Sequence, residues 1–394
     1  MSSSVLIEFV IAALVLLIWI ALTFAWGGFW QIWRFDADRD TLEKSAAWPR
    51  VVAVVPARNE AANIAECIAS LARQNYPGEF RIVVVDDHSE DATADLARRA
   101  AADANSSPRV LVIPAPLLAH GWTGKLWALH AGVAAAAAEV PEFFWFTDAD
   151  VVHAPDTLTR LVARAEREKL DLTSLMVLLQ SNSFAERLLI PPFLYFFLML
   201  YPPSRIATPS SRTAGAAGGC ILLRRSALER IGGLPAIRGE VIDDCALARA
   251  VKHSGGCIWM GLTRASRSLR RYETLDEIRD MIARTAFTQL RYSALLLLGT
   301  LLGLLVTFVF PVVLTLSPNP RIWPLGLLTW CLMSASFLPT VVFYGVSPVY
   351  GVTLPVTALF YAQATVLSAI RHWLGHGAQW KGRSHAARGS PSRD

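Results

Sequence analysis

Four long apolar stretches limit what this chain can fold into. A helix needs roughly 20 residues to cross a bilayer, and that length is exceeded by residues 5 to 33, 293 to 317, 322 to 346 and 349 to 371. The polar region between the first two stretches is long enough to bury a core of its own. The sequence therefore predicts an N-terminal transmembrane anchor at 1–34, a folded domain at 50–290, a C-terminal transmembrane region at 293–371 and a basic tail at 372–394.

The positive charges indicate the side of the membrane on which the domain lies. No Lys or Arg precedes the first apolar stretch, whereas Arg34, Arg39, Lys44 and Arg50 follow it. Because basic flanks are retained in the cytoplasm, we predict a cytoplasmic domain in a multi-pass protein. Three C-terminal crossings would place the basic tail outside. We therefore expect one of those segments to be re-entrant or interfacial and the tail to be cytoplasmic.

The charge balance argues against one class of partner. The formal net charge is +5, and no basic run is interleaved with aromatic residues, so nucleic-acid binding is not expected. Much of the basic charge lies near the apolar stretches, at 264–271 and in the tail, as in contacts with anionic lipid head groups. A solvated charged face is an equally good interpretation of 264–271.

Short apolar runs alternate with helical patterns from residue 51 onwards. This alternation predicts an α/β, Rossmann-like fold with a mostly parallel sheet and right-handed crossovers. Strands are expected at 51–55, 81–85, 110–113, 143–147, 172–179, 220–223 and 257–262.

The alternation stops after residue 180. The segment 184–201 is apolar but contains Pro191 and Pro192, so we expect it to be too short and broken to span a bilayer and to lie at the interface. Residues 202–219 are rich in Pro, Ser, Gly and Ala. They predict a mobile loop over a site, with a buried connection as the alternative.

Polar residues follow several of the predicted strands. Asp148 and Asp150 come directly after the strand at 143–147, and Asp86 and Asp87 follow the strand at 81–85. Ligands bind at the carboxyl ends of such strands, and two neighbouring carboxylates suit Mg²⁺ or Mn²⁺. Lys125 would supply a counter-charge for a diphosphate. Taken singly, the aspartates also suit turns and the lysine a solvated helix.

In this order, the motifs resemble those of glycosyltransferase family 2, the inverting enzymes of the GT-A fold. The resemblance covers roughly 50–290 and rests on Pro56-Ala57-Arg58-Asn59-Glu60, Val85-Asp86-Asp87-His88-Ser89, Gly124-Lys125, Asp148-Ala149-Asp150 and Asp243-Asp244. It implies a metal-dependent transferase that uses Mg²⁺ or Mn²⁺ and a nucleotide-sugar donor, most often UDP-linked.

The resemblance also implies roles for individual residues. Asp244 would be the general base, with Asp243 left open as the alternative, and Asp148 and Asp150 would hold the metal. Gly218 and Gly219 would approach the acceptor, although an ordinary turn suits them nearly as well. Arg291 would face the diphosphate or lie above the bilayer. The nucleotide sugar would be bound by Pro56, Arg58, Glu60, Asp86, Asp87, Lys125 and Asp148 together with Gly218, Gly219 and Arg291.

Within this family the layout is most similar to bacterial hopene-associated glycosyltransferases, which share the Gly121-Trp122-Thr123-Gly124-Lys125 and Trp380-Lys381-Gly382-Arg383 stretches. This implies a lipid acceptor of hopanoid type at the bacterial inner membrane. A polysaccharide-extending synthase and a non-catalytic nucleotide-binding membrane scaffold are the alternatives.

Overall fold

The computed structural model describes residues 3–39, 48–103, 109–375, 379–380 and 383–384. It divides the chain into two compact units. The first comprises Met1–Arg34, Ser181–Ser204 and Tyr272–His376, and the second comprises Phe35–Gln180, Arg205–Arg271 and Gly377–Asp394. Most of the predicted basic tail, including Lys381 and Gly382, lies outside the described residues.

The secondary structure is numbered in chain order. The strands are β1 (Val51–Ala57), β2 (Phe80–Asp86), β3 (Arg109–Pro114), β4 (Phe143–Thr147), β5 (Val151–His153), β6 (Leu172–Leu178), β7 (Cys220–Arg224), β8 (Ile258–Ser268), β9 (Gln379–Trp380) and β10 (Arg383–Ser384). The helices are α1 (Ser3–Phe24), α2 (Ile64–Ala72), α3 (Thr93–Asp103), α4 (Gly124–Ala135), α5 (Thr157–Arg167), α6 (Phe184–Leu200), α7 (Pro203–Ala207), α8 (Arg225–Arg230), α9 (Asp243–His253), α10 (Leu275–Ala283), α11 (Ala286–Gln289), α12 (Ala294–Leu304), α13 (Phe310–Thr315), α14 (Trp323–Phe343) and α15 (Leu354–Trp373).

The second unit is built on a mixed eight-stranded sheet in the order β3-β2-β1-β4-β7-β6-β8-β5. Strands β3, β2, β1 and β4 are parallel to one another, as predicted. The expectation of a mostly parallel sheet is nevertheless wrong, because β7 is antiparallel to both β4 and β6, and β5 is antiparallel to β8. Two parallel neighbouring strands need a crossover connection, which is usually a helix. The long helix between β6 and β7, α6, belongs to the first unit and not to the unit that contains the sheet.

The apolar runs become strands because both faces of the sheet are covered. Every residue of β1 and β4 is buried, which explains their continuous apolar sequence. Helix α4 approaches the sheet closely at Gly132, where a Cβ atom would overlap Val54 and lie 3.0 Å from Val85 Cγ2. Helix α4 therefore packs directly on β1 and β2.

In the first unit, α6 differs from expectation. It runs unbroken through Pro191 and Pro192, and Phe184–Ala207 is long and apolar enough to cross a bilayer, so the prediction of a short, broken segment is wrong. Helix α6 begins at a capping box, in which Ser183 Oγ accepts the N–H of Glu186 and the Glu186 carboxylate accepts the N–H of Ser183. Three other helices in the described residues meet the same criterion: Val5–Ala25, Ala294–Thr315 and Trp323–Phe343.

The predicted crossing at 349–371 forms α15, which is not among those candidate spans. The helical segment between α12 and α13 includes a π-helical turn at Leu305–Val309, and Pro311 follows this turn. Pro311 has no N–H for the carbonyl of Thr307, the usual acceptor four residues earlier. Trp19 of α1 supplies a donor instead, with its Nε1 2.7 Å from that carbonyl oxygen.

Candidate active site

A cavity in the second unit brings together residues from β1, β4, α4 and α9. Its polar lining is Lys125, Thr147, Asp148, Asp243 and Asp244, and Gly218 contributes backbone. Apolar residues form the rest of the wall: Pro56, Leu126, Leu129, Phe146, Ile221, Leu234, Ile237 and Leu247. A polar group in such a cavity is partly shielded from water, so its charge interactions are stronger than at an open surface.

Lys125 is the cation of the cavity, and the start of α4 positions it. Thr123 caps this helix by accepting the N–H of Leu126 at 3.4 Å. Lys125 Nζ then lies 2.8 Å from Asp148 Oδ1 and 3.5 Å from Asp243 Oδ2. Burial alone would lower the pKa of Lys125, but the charges of Asp148 and Asp243 outweigh it and raise the pKa above its ordinary value. The lysine is therefore charged at neutral pH.

Asp244 occupies a different environment from its neighbour Asp243. Its Oδ2 accepts the backbone N–H of Gly218 at 2.9 Å, and its Oδ1 accepts the N–H of Cys245 at 2.6 Å. Burial and the nearby charge of Asp243 raise the pKa of Asp244 to about 6, although Lys125 and the two backbone donors oppose the shift. A carboxylate with a raised pKa is a better proton acceptor than an ordinary aspartate.

Hydrogen bonds join the loop after β1 to the segment after β2 beside this cavity. Arg58 Nη1 donates to the carbonyls of Asp87 at 2.6 Å and His88 at 2.8 Å. The N–H groups of Asn59 and Glu60 donate to side-chain hydroxyls, those of Ser89 at 3.0 Å and Thr93 at 2.7 Å. Arg58 is thus a structural link as well as a predicted ligand, and it is buried.

The residues that the sequence predicts for the site do not all lie in one place. The cavity lining, over the described residues, includes Pro56, Lys125, Asp148, Gly218, Asp243 and Asp244 but not Arg58, Glu60, Asp86, Asp87, Asp150 or Gly219. Arg291 belongs to the first unit. It is exposed there and has a positive φ of 52°. The roles assigned to all these residues remain predictions.

Sequence reasoning missed three kinds of residue that build the site. Thr147 lines the cavity, Thr123 caps α4, and the hydroxyls of Ser89 and Thr93 hold the loop after β1. A signal existed for Thr123, because Thr before a helical run is a capping residue. Thr147 also differs from the four aromatic residues that precede it in β4.

The residues after β4 can be tested for their fit to a divalent ion. Within the described ranges no group of three or more His, Cys, Asp or Glu side chains is close enough to hold a metal. Mg²⁺, however, is commonly held by one or two carboxylates with substrate phosphates and water completing its shell. Asp148 and Asp150 fit that arrangement chemically, although Asp148 already pairs with Lys125.

The mixed sheet with its carboxylates around one cavity defines a GT-A-like α/β fold. The same fold is found in a mannosyltransferase from Pyrobaculum calidifontis, solved with GDP-mannose and Mn²⁺. Its TM-score to this chain is 0.55 at 19% sequence identity, over 93% of this chain and 99% of that one. At this identity the likeness concerns the fold alone.

Sequence comparisons identify the family. The model of glycosyl transferase family 2 matches residues 52–232. An N-acetylglucosaminyltransferase of Bradyrhizobium sp. (strain ANU 289) is 34% identical over 31% of this chain and 74% of its own length. The Bradyrhizobium elkanii protein of the same name is 34% identical over 33% of this chain and 66% of its own length. The chain belongs to glycosyl transferase family 2.

The relatives share only part of their length with this chain. The match covers 66% of the Bradyrhizobium elkanii protein and 26% of an N-acetylglucosaminyltransferase of Mesorhizobium japonicum, which is 30% identical over 30% of this chain.

Proposed function

We propose that this protein is a membrane-bound, inverting glycosyltransferase that moves a sugar from a nucleotide-sugar donor to a hydroxyl group of a lipid. Membership of glycosyl transferase family 2 supports the class of reaction. The observation that carries the proposal is the convergence of Lys125, Asp148, Asp243 and Asp244 on one cavity.

Asp244 is the better placed of the two candidate bases. Asp243 lies 3.5 Å from Lys125, so its carboxylate already pairs with that cation. Asp244 contacts two backbone N–H groups and has a pKa of about 6. In the proposed reaction it accepts the acceptor's proton while the acceptor oxygen bonds to the anomeric carbon and the nucleoside diphosphate leaves from the opposite face.

Lys125 would stabilise the leaving diphosphate. Its charge is fixed by two carboxylates, and a donor phosphate entering the cavity would replace part of that pairing. A divalent ion held by Asp148, Asp150 and the substrate phosphates would supply further charge neutralisation when bound. The mannosyltransferase of similar fold was solved with Mn²⁺.

The nucleoside would lie beside the carboxyl ends of β1 and β2. Asp86 Oδ1 is buried and has no hydrogen-bond partner among the described residues. A buried carboxylate oxygen without a donor is costly, and a base N–H or a ribose hydroxyl would satisfy it. Because the relatives are named N-acetylglucosaminyltransferases, UDP-N-acetylglucosamine is the first donor to test.

The connectivity of the sheet limits the membrane topology. Strands β1 to β6 precede Phe184–Ala207 and β7 and β8 follow it, yet all lie in one sheet. A single crossing by this helix would divide the sheet between two sides of the membrane, so it must enter and leave on the same side. With crossings at Val5–Ala25, Ala294–Thr315 and Trp323–Phe343, a cytoplasmic domain gives a cytoplasmic tail, which agrees with the positive-inside rule.

The proposal is tested on membranes that contain the full-length protein. They are incubated with labelled UDP-N-acetylglucosamine, UDP-glucose or GDP-mannose and with a lipid extract that includes hopanoids, with and without EDTA. We expect label in one lipid product, loss of that product with EDTA, and loss of transfer in Asp244→Asn with donor binding retained. Asp276→Asn, an exposed residue of α10 outside the cavity, is the matched control.

The alternatives predict different outcomes. A polysaccharide-extending synthase would add many sugars to each acceptor rather than one. A nucleotide-binding scaffold would bind donor but transfer nothing, and Asp244→Asn would then have no effect. Absence of transfer to lipid from any donor, with the wild-type protein folded, would refute the proposed function.

A further inference from the structure

Thr147 is the last residue of β4, one position before Asp148, and its buried hydroxyl contacts His153, the carbonyl of Gly219 and, at 3.5 Å, the carbonyl of Asp148. Thr147 Oγ1 is 3.0 Å from the carbonyl oxygen of Gly219 and 2.8 Å from Nε2 of His153. The other ring nitrogen of His153, Nδ1, is 2.8 Å from Oγ of Ser266. All three side chains are less than a tenth exposed.

The direction of each hydrogen bond follows from the carbonyl at one end. Carbonyls can only accept, so the single proton of Thr147 Oγ1 points to the carbonyl side, where Gly219 at 3.0 Å is nearer than Asp148 at 3.5 Å, and the hydroxyl oxygen accepts from Nε2–H of His153. The ring is then neutral with its proton on Nε2, and Nδ1 accepts from the hydroxyl of Ser266. His153 is buried, and its ring centroid lies 4.6 Å from that of Trp145. Burial lowers the pKa of His153 to about 3, which agrees with a neutral ring.

This chain of hydrogen bonds ends on the backbone that contacts the proposed base. Gly218 precedes Gly219 and donates its N–H to Asp244 Oδ2 at 2.9 Å. There is little slack at this point, because a Cβ atom on Gly218 would lie 3.1 Å from Lys125 Nζ and 3.3 Å from Asp244 Oδ2. The Gly219 carbonyl and the Gly218 N–H lie on either side of the one peptide group that joins the two glycines, so a displacement of the carbonyl can reach the N–H through that peptide group. The carbonyl oxygen of Ala217, in the same peptide group as the Gly218 N–H, also accepts a hydrogen bond from Ser174 Oγ at 3.2 Å.

We propose that Ser266, His153 and Thr147 form a positioning relay that fixes the Gly218–Gly219 backbone and, through the Gly218 N–H, orients the carboxylate of Asp244 for proton transfer. This inference rests on the proposed function, since it assigns the relay to the base of that reaction. None of the three side chains needs to touch the substrate. Their effect is on the geometry of a residue that does.

The chain offers matched variants for a test. Thr147→Val has nearly the same shape but lacks the hydroxyl, whereas Thr147→Ser keeps it. His153→Gln can place an N–H near the Nε2 position, whereas His153→Leu cannot donate. In every variant the separate contact of the Ala217 N–H with Ser174 Oγ at 2.9 Å is left in place, and the melting temperature of each variant shows whether it is folded.

Steady-state kinetics on the full-length protein separate positioning from substrate binding. We expect Thr147→Val and His153→Leu to lower kcat about 10- to 100-fold, the size of effect expected from a small misplacement of a reacting group, while KM for the nucleotide sugar changes less than about twofold. Thr147→Ser and His153→Gln should recover most of the lost rate. An unchanged kcat in Thr147→Val, or a rise in KM that matches the fall in kcat, would overturn the inference.

Hydrogen–deuterium exchange tests the relay without any activity. The backbone amides of 218–220 should exchange faster in Thr147→Val than in the wild type and Thr147→Ser, and equal rates in all three would overturn the inference. If the wild type transfers no sugar, the proposed function fails, and with it the link to a catalytic base. If the wild type transfers sugar but the variants match it in kcat and exchange, only the relay fails.

Discussion

The raised pKa of Asp244 predicts that the proposed sugar transfer depends on pH. If this carboxylate is the base, only its ionised form is active, and with a pKa of about 6 about one tenth of it is ionised at pH 5 and about nine tenths at pH 7. We expect kcat/KM for the donor to reach a plateau above pH 7 and to fall about tenfold per unit below pH 6. A sugar diphosphate does not titrate in this range, so the fall reports the enzyme.

Two neighbouring substitutions should move this acidic limb in opposite directions. Asp243→Asn removes a negative charge that raises the pKa of Asp244, so the limb should move to lower pH. Lys125→Met removes a positive charge that lowers it, so the limb should move to higher pH. A shift of about one unit corresponds to about 1.4 kcal/mol and a tenfold change in rate on the limb.

The measurement is kcat/KM for labelled donor between pH 4.5 and 8.5 in membranes of constant composition. Lys125→Met should also lower the plateau, because it removes a charge near the proposed diphosphate site, but only the position of the limb tests the pKa. Asp244→Asn serves as the control, since its residual rate should show no limb near pH 6. If both variants shift the limb in the same direction, Asp244 is not the titrating base.

Three other predictions concern the framework of the two units. Gly132→Ala should destabilise the protein by about 1–3 kcal/mol, because the new methyl group overlaps Val54; an unchanged or higher melting temperature would contradict this. Lys252→Met removes three hydrogen bonds to carbonyls between 205 and 213 and should speed tryptic cleavage there, unlike Lys252→Arg. Glu186→Ala should lower the melting temperature more than Glu186→Gln, because Glu186 accepts three backbone N–H groups.

The sequence predicted seven of the eight strands of the sheet but not the antiparallel directions in its second half. β4 was placed correctly at Phe143–Thr147 because four aromatic residues and a threonine are followed by aspartates. The strand β5 was missed because it has three residues, too few for any periodicity to appear. The antiparallel direction of β7 could not be read from its residues, since strand direction depends on the path of the chain outside the sheet.

For the site, the sequence indicated which residue types carry chemistry but not which pairs meet. Lys125 was expected near phosphates, yet in the structure it pairs with Asp148 and Asp243, which lie far from it in the chain. The contact of Gly218 with Asp244 is made by a backbone N–H, and no residue pattern specifies such a contact. These relations depend on packing.

The bond from the indole of Trp19 to the carbonyl of Thr307 has a consequence for chimeric proteins. If α1 only tethered the protein to the lipid, any apolar helix of equal length could replace it. Here it also supplies a polar group to a stretch of backbone that Pro311 deprives of its usual donor. A transplanted helix without a matching Trp would remove that donor. Helix α1 is therefore a specific part of the fold.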